Sequence, residues 1–309
     1  MRLFDLHCDT LYRAYTEHST LFNDSFHISF GKTKGIAPYI QCLAVWIPDE
    51  YRGDAAVALF DGCAGLLHEQ LENTDILHCK TARDLEAAAG GGKTGVILTV
   101  ESGAALGGST ENIAKLRQAG GKMMTLTWNG TNELGDGVGI TDSRGLSDFG
   151  RRAVQEMERQ GIVIDISHAS ERLFYEVAEI TAKPIAASHS NAKAVCPHPR
   201  NLTDEQFCII QQRGGIVGLN FCRDFLNKTA TKSKMYDIIK AAEHFLSLGG
   251  EKTLAMGGDF DGADIPADMS GIETMPALYE LFLRYYSQEL TDDIFFGNAY
   301  RFFSRMLQE

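Results

Sequence analysis

The chain repeats one pattern, in which a short apolar run rich in Val, Ile and Leu is followed by a longer segment with helical spacing of its apolar residues. This alternation is typical of β-α units that build a parallel sheet, because strands buried on both faces carry few polar positions. About eight strands are predicted, the number that closes a (β/α)8 barrel. They lie near Leu3–His7, Ile40–Trp46, Val96–Glu101, Met123–Trp128, Ile162–His168, Ile185–His189, Ile216–Asn220 and Leu254–Asp259.

Amphipathic segments between these runs predict the helices, and Thr203 and Gln206 have the spacing of a capping box at the start of one of them. No long linker rich in Pro or Ser interrupts the pattern. The sequence therefore predicts an α/β fold, a TIM-like (β/α)8 barrel that forms a single domain over residues 1–309. The helical candidates are Asp54–Glu72, Glu111–Ala119, Asp148–Gln160, Ser170–Ile180, Asp204–Arg213 and Lys234–Leu248.

Composition narrows the class of protein. The chain has 41 acidic residues against 29 Lys and Arg, a net charge of −12 that repels nucleic acid and anionic membranes. The sequence contains no run long enough to span a bilayer, and its first residues interrupt any signal peptide with charged positions. Its seven scattered cysteines include no C-x-x-C pair, which favours reduced thiols. We therefore expect a cytoplasmic enzyme without nucleic-acid or membrane partners.

The polar residues at the predicted strand ends are the most informative feature. The strands end in metal-capable or titratable side chains, and the carboxyl ends of barrel strands converge on one face, where active sites are built. A lone histidine at such a position is more often structural, but several together favour a metal site. These residues are His7, Asp9, Glu101, His168, His189 and Asp259.

The spacing also suggests how metal ions are shared. His7 and Asp9 are two residues apart, so an extended chain would point both side chains to the same side. Glu101 has two oxygens with which to bridge two ions, and His168 and His189 arrive from neighbouring strands to complete the shell of the second. This mixed set of nitrogen and oxygen donors suits zinc best, with manganese or cobalt as substitutes. The spacing thus predicts a metal site at the mouth of the barrel.

Two further positions concern substrate and proton transfer. Arg200 lies in a Pro-braced loop after the sixth strand, and its planar fork is suited to a substrate carboxylate. A carboxylate that is not needed as a ligand can act as general acid and base. Spacing alone leaves Asp259 and Asp261 as alternatives for that role, because both have the same strand parity.

Segments along almost the whole chain carry a resemblance to a known family. They include DLHCDT, TVESGAAL, MTLTWNGTNE, PIAASHSNAKAVCPHPRNLTDEQ, GGIVGLNF and GGDFDG. On these motifs the sequence resembles the membrane dipeptidase (renal dipeptidase) family of binuclear zinc metallopeptidases, which have an amidohydrolase-type barrel. The motif from SHSN to HPRNLTD is the most specific of them.

The resemblance implies a zinc-dependent dipeptidase that forms a homodimer. It places one zinc on His7, Asp9 and Glu101, and a second on Glu101, His168 and His189, with a bridging hydroxide that attacks the peptide bond. It also implies Asp259 as the catalytic acid and base, Arg200 as a substrate-binding residue, and tolerance of a D-residue at the C-terminal position of the dipeptide.

One position departs from the family. Animal members have a histidine after the Thr-Leu-Thr of the fourth strand, where this sequence has Trp128. A tryptophan donates one N–H but carries no charge and binds no metal. Trp128 is therefore expected to contact the substrate in a different way, and two alternatives stay open: another amide or lactam hydrolase on the same metals, acting on acyl-D-amino acids or β-lactams, or a non-catalytic metal-binding barrel.

Overall fold

The computed structural model describes residues 1–91 and 93–307. The predicted domain also includes residues 92, 308 and 309, which lie outside the described residues. Within the described part, nine parallel strands form one sheet in the order β2-β1-β9-β8-β7-β6-β5-β4-β3, and a further pairing of β2 with β4 closes it. The strands are β1 Leu3–Cys8, β2 Tyr39–Trp46, β3 Leu77–His78, β4 Thr94–Glu101, β5 Gly121–Thr125, β6 Val163–Asp165, β7 Ala186–Ala187, β8 Ile216–Leu219 and β9 Leu254–Met256.

The closed ring contains eight strands, because β3 pairs only with the start of β4, at Leu77 with Gly95 and His78 with Val96. The predicted fold class, a TIM-like (β/α)8 barrel, is confirmed. β3 was not predicted, since two half-buried residues give no periodic signal. The helices are α1 Thr10–Thr16, α2 Gly53–Leu71, α3 Ala82–Gly90, α4 Glu111–Ala119, α5 Asp148–Gln160, α6 Glu171–Ile180, α7 Asp204–Gln212, α8 Arg223–Leu226, α9 Met235–Ser247, α10 Met275–Leu283, α11 Gln288–Asp292 and α12 Asn298–Met306.

Two apolar layers hold the barrel together. A cluster with members from all eight barrel strands, such as Phe4 and Ile97, fills the interior. Phe303 of α12 stacks on Phe4 with ring centroids 5.4 Å apart and adds to this interior cluster. A second, larger cluster packs the outer strand faces against the helices. Burial of these side chains is the main favourable term for folding, and the apolar interior leaves the carboxyl ends of the strands free for polar side chains.

The predicted strands extend too far at their carboxyl ends. β5 ends at Thr125, β6 at Asp165, β7 at Ala187 and β9 at Met256, so several functional candidates follow their strands in loops. The physical reason is visible in the backbone of two of them. His168 and Asp259 have φ values of 64° and 57°, which a strand cannot contain. The loop positions that lie beyond the observed strands are Trp128, His168, His189 and Asp259.

The loop that carries Arg200 is anchored at both ends. The Thr203 hydroxyl accepts from the Gln206 N–H at 3.2 Å, and the Gln206 side chain accepts from the Thr203 N–H at 2.9 Å, which is the predicted capping box of α7. Asn201 donates to the carbonyls of Cys196 and Phe225 at 2.8 and 2.9 Å. The Arg200 backbone is therefore held in place before any ligand binds.

No helix among the described residues is both long and apolar enough to cross a bilayer. The cytoplasmic location of the protein stays a prediction.

Candidate active site

Glu101 lies at the centre of the candidate site. It is the last residue of β4 and is 4% exposed, and its two oxygens face different neighbours. Oε2 lies 3.7 Å from His7 Nε2, while Oε1 lies 2.8 Å from His168 Nε2 and 3.6 Å from His189 Nε2. Asp9 Oδ2 lies 3.4 Å from His7 Nε2. The structure therefore brings together all five side chains that the sequence singled out as metal ligands.

A distortion in β1 positions His7. The register between β1 and β2 shifts between Asp5 and Cys8, so the simple alternation of side chains on which the pairing of His7 with Asp9 was predicted does not hold. The Asp5 carboxylate accepts from the backbone N–H of His7 at 2.9 Å and from that of Gly258 at 3.1 Å. Asp5 thus fixes the irregular backbone, and His7 and Asp9 still reach one pocket.

Both loop histidines have one ring nitrogen engaged away from the centre. His168 Nδ1 lies 2.8 Å from Asn129 Oδ1, and His189 Nδ1 lies 2.7 Å from Ser188 Oγ. Ser188 has a single hydroxyl hydrogen, which it donates to the Asp165 carboxylate, so its oxygen accepts from His189. Each Nδ1 therefore carries the proton, and each Nε2 presents a lone pair to the centre.

Burial and neighbouring charges shift the pKa values of the candidate metal ligands. Burial and the nearby Asp9 carboxylate raise the pKa of Glu101 well above its usual range. Burial alone would lower the pKa of His7, but the Glu101 and Asp9 carboxylates outweigh it and raise that pKa to about 10. Burial, together with the charges of Arg200 and His7, lowers the pKa of His168 and His189, which keeps both imidazoles neutral. Carboxylates crowded in a buried site favour a cationic occupant.

The donor set fits divalent cations. The Nε2 atoms of His168 and His189 are 3.0 Å apart and face each other with lone pairs, beside the Glu101 carboxylate. His7 Nε2 and Asp9 Oδ1 are buried and have no hydrogen-bond partner among the described residues. A divalent cation that displaces the proton of His7 would satisfy all of these atoms at once. Donor atoms of His7, Glu101 and His189 lie within 4.8 Å of one another, and so do those of His7, Asp9 and Asp259.

The two aspartates that spacing left unresolved have different surroundings. Asp259 Oδ1 lies 3.8 Å from His7 Nε2, and its Oδ2 accepts from Asn220 Nδ2 at 3.0 Å. Asp261 instead accepts from Thr10 Oγ1 at 2.5 Å, from Arg13 Nη1 and from the backbone N–H of two further residues, His27 and Ile28. Both aspartates line the cavity over the cluster, but the Asp261 carboxylate is fully engaged in holding the chain together, and of the two carboxylates it is that of Asp259 that lies close to His7.

A cavity of about 1110 Å³ opens over the cluster and is lined by Arg200 and Trp128. Arg200 is 6% exposed, donates from Nη2 to the His189 carbonyl at 3.2 Å, and lies over the Phe225 ring at 5.4 Å. It forms no ion pair within the described residues, so its charge is available to a ligand. The Trp128 ring lies 6.2 Å from the His168 ring, centroid to centroid.

Sequence reasoning missed the aromatic wall of this cavity. Trp46 ends β2 directly opposite Glu101, and its ring contacts those of Tyr12 and Trp128 at centroid distances of 5.0 Å each. The sequence does contain a signal, since Trp46 also ends a predicted strand, but unlike the predicted site residues there it is not titratable. Four polar residues were missed as well, because their roles depend on contacts between segments far apart in the chain. They are Asn129, Asp165, Ser188 and Asn220.

The model of the family described as membrane dipeptidase (peptidase family M19) matches residues 1–308. The chain belongs to the membrane dipeptidase family. The protein is accordingly a metallo-dipeptidase, and the resemblance expected from its motifs is confirmed.

Solved structures of this dipeptidase family have the same fold. Dipeptidase AC, a metallopeptidase of family M19, is 27% identical with a TM-score of 0.93, over 100% of this chain and 99% of that one. A metallopeptidase from Rhodobacter sphaeroides, solved with a phosphinate mimic of the dipeptide L-Ala-D-Ala, is 26% identical with a TM-score of 0.92, over 99% of each chain.

Among relatives similar in sequence, an uncharacterized protein of the pqqA 5′ region of Klebsiella pneumoniae is 29% identical over 241 residues, covering 75% of this chain and 89% of that protein.

The contact between Ser188 and His189 gives a first test of this site. We expect Ser188→Ala to weaken metal binding by about 10- to 100-fold, because the acceptor that orients the His189 ring is lost. Metal affinity is measured by competition with a chromogenic chelator, independently of turnover. Ser190→Ala is the matched control, since the buried Ser190 Oγ has no hydrogen-bond partner among the described residues. Equal affinities in the two variants would refute the orienting role of Ser188.

Proposed function

We propose that this dipeptidase uses two divalent cations, zinc by preference, and that it accepts a D-residue at the C-terminal position of the dipeptide. The two-ion proposal rests on Glu101, because its two carboxylate oxygens face different donors. Oε2 faces His7, and Oε1 faces His168 and His189. A carboxylate between two sets of donors is the arrangement expected of a bridging ligand. One ion would be held by His7, Asp9 and Glu101, and the other by Glu101, His168 and His189.

The chain's own residues would do the following during hydrolysis. When bound, the two cations would polarise the peptide carbonyl and lower the pKa of water so that hydroxide is available at neutral pH. Asp259, whose pKa is raised by burial, would take the proton of the attacking water and return it to the leaving amine. Asn220 would hold the second oxygen of Asp259 in place through its amide N–H.

Arg200 would select the substrate. Its buried guanidinium donates to a backbone carbonyl and has no carboxylate partner among the described residues, and we assign it to the C-terminal carboxylate of the dipeptide. A free α-carboxylate next to the scissile bond occurs only at the end of a peptide, which limits cleavage to the last peptide bond. Trp128, with one N–H and an aromatic face, would contact the substrate without adding charge. The R. sphaeroides relative's ligand, a mimic of L-Ala-D-Ala, supports the expected tolerance of a D-residue.

The test combines metal content with turnover. We expect elemental analysis to find two metal equivalents, and chelation to abolish hydrolysis of L-Ala-L-Ala and L-Ala-D-Ala, with recovery on adding zinc. Amidating the C-terminus should lower kcat/KM by at least about tenfold, because a charge-assisted contact to Arg200 is lost.

Three results would count against the proposal. Full activity with a single bound ion would remove the two-ion assignment, and equal rates on free and amidated dipeptides would remove the role of Arg200. Hydrolysis of N-acetyl-D-amino acids or β-lactams in preference to dipeptides would favour the alternative amide or lactam hydrolase.

A further inference from the structure

A second chamber of about 540 Å³ lies beside the cavity over the metal-ligand cluster. Its walls come from the loops that follow β5, β6 and β7. The two spaces share four lining residues, which are Val138, His168, Pro199 and Arg200. Arg200 therefore lies between this second chamber and the cavity over the metal-ligand cluster. A substrate held by Arg200 could extend a side chain into this second chamber.

The chamber is cationic in a strongly acidic protein. The chain has a net charge of −12, yet both Lys193 and Arg200 line the chamber. Within the part of the chain that the structure describes, neither forms an ion pair, and the Lys193 ammonium makes no hydrogen bond. Arg172, also in the lining, is already paired with Glu176 at 3.0 Å. Glu171, an exposed residue at the start of α6, also lines the chamber. Lys193 and Arg200 together outnumber this one carboxylate and favour an anionic guest.

Neighbouring polar atoms are also unused. Ser190 and Asn201 line the chamber and are 1% and 3% exposed. Ser190 Oγ and Arg200 Nε, which can both donate, are buried and have no hydrogen-bond partner among the described residues. Asn201 does not add a donor, because its amide N–H groups bond to two backbone carbonyls and its unpartnered Oδ1 is an acceptor. Buried polar groups normally find partners, and those left over are often satisfied only when a ligand is bound. The chamber thus has the chemistry of a polar, carboxylate-binding subsite.

We propose that this chamber is the subsite for an acidic side chain on the C-terminal residue of the dipeptide, with Lys193 as its specificity-determining cation. The inference rests on the proposed function, in which Arg200 binds the C-terminal carboxylate. That carboxylate and the side chain of the same residue share one α-carbon, so a carboxylate held at Arg200 places the side chain at the wall between the two spaces. Dipeptides ending in glutamate or aspartate are then the preferred substrate class.

The experiment compares C-terminal glutamate with glutamine, which has the same shape without the charge. We measure kcat/KM for Ala-Glu and Ala-Gln, each with an L- and a D-configured C-terminal residue, on metal-loaded protein. The wild type should prefer Glu to Gln by at least about tenfold in the accepted configuration. Lys193→Met, which keeps the apolar stem but removes the charge, should bring the Glu-to-Gln ratio close to one. Lys228→Met, which removes an exposed positive charge from the crossover after β8, should keep the wild-type ratio.

The outcomes separate the subsite from the activity. Hydrolysis of both dipeptides at equal rates in the wild type, or an unchanged Glu-to-Gln ratio in Lys193→Met, would overturn the subsite while the proposed function stands. If no dipeptide is hydrolysed, the proposed function fails. In that case thermal shifts with free glutamate and glutamine still test the chamber: a larger shift with glutamate that disappears in Lys193→Met supports anion binding there, and equal shifts refute it.

Discussion

Replacing Glu101 with glutamine should lower kcat/KM for dipeptides by about a thousandfold or more. Loss of a residue that merely orients a ligand typically costs 10- to 100-fold, and Glu101 is in contact range of three candidate ligands on both sides of the site. Glutamine keeps the shape and one oxygen but removes the negative charge. Metal content should fall from the two equivalents proposed for the wild type to at most one.

The fold should survive this change. Burial and the Asp9 carboxylate disfavour the charged form of Glu101, so a neutral amide removes a repulsive buried charge in the metal-free protein. We expect the metal-free Glu101→Gln variant to unfold at a temperature equal to or above that of the metal-free wild type. Loss of activity together with a lower unfolding temperature would instead indicate that Glu101 is structural.

A charge-matched control is available outside the barrel mouth. Glu156 of α5 pairs with the exposed Arg159 at 2.6 Å, and neither residue lines the cavities beside the candidate ligands. Glu156→Gln removes one negative charge from the protein and should leave kcat/KM within about threefold, as expected of a surface ion pair. If Glu101→Gln kept more than a tenth of the wild-type activity with two bound ions, the bridging role would be wrong.

The convergence of the candidate ligands could be predicted because it depends on a general property of barrels. The carboxyl ends of parallel strands meet on one face, so His7, Glu101 and His189 had to approach one another once the strand order was accepted. The residues at which the strands end could not be predicted as well from the sequence. Polar residues at the mouth interrupt the ladder, and the positive φ of His168 leaves no trace in hydrophobic periodicity.

Other features depend on contacts between segments far apart in the chain. The register shift in β1 is fixed by hydrogen bonds that the backbone N–H groups of His7 and Gly258 donate to the Asp5 carboxylate, and Gly258 lies 253 positions away from Asp5. The engagement of Ser188 with both Asp165 and His189 likewise needs two loops in their final places. Short-range pattern cannot supply such pairs, which is why the sequence pointed to the candidate ligands but not to Asn129 and Ser188, which contact their rings.

The two aspartates after β9, Asp259 and Asp261, allow a catalytic role to be distinguished from a structural one. Asp259→Asn should lower kcat by about 10²- to 10⁴-fold, the usual contribution of a general acid and base. Two bound ions should remain, because Asp259 is not in the proposed ligand set. Asp261→Asn should keep kcat within about threefold but lower the free energy of unfolding by about 1–3 kcal/mol, because the amide cannot accept from all of its donors.

The two variants are matched in backbone conformation. Asp259 and Asp261 have φ values of 57° and 65°, a left-handed conformation that asparagine adopts readily, so neither substitution strains the chain. Kinetics on L-Ala-D-Ala, metal analysis and denaturant unfolding of both variants complete the comparison. The assignment fails if Asp261→Asn loses as much activity as Asp259→Asn. Loss of one ion together with activity in Asp259→Asn would make Asp259 a metal ligand, a reading compatible with its position near His7 and Asp9.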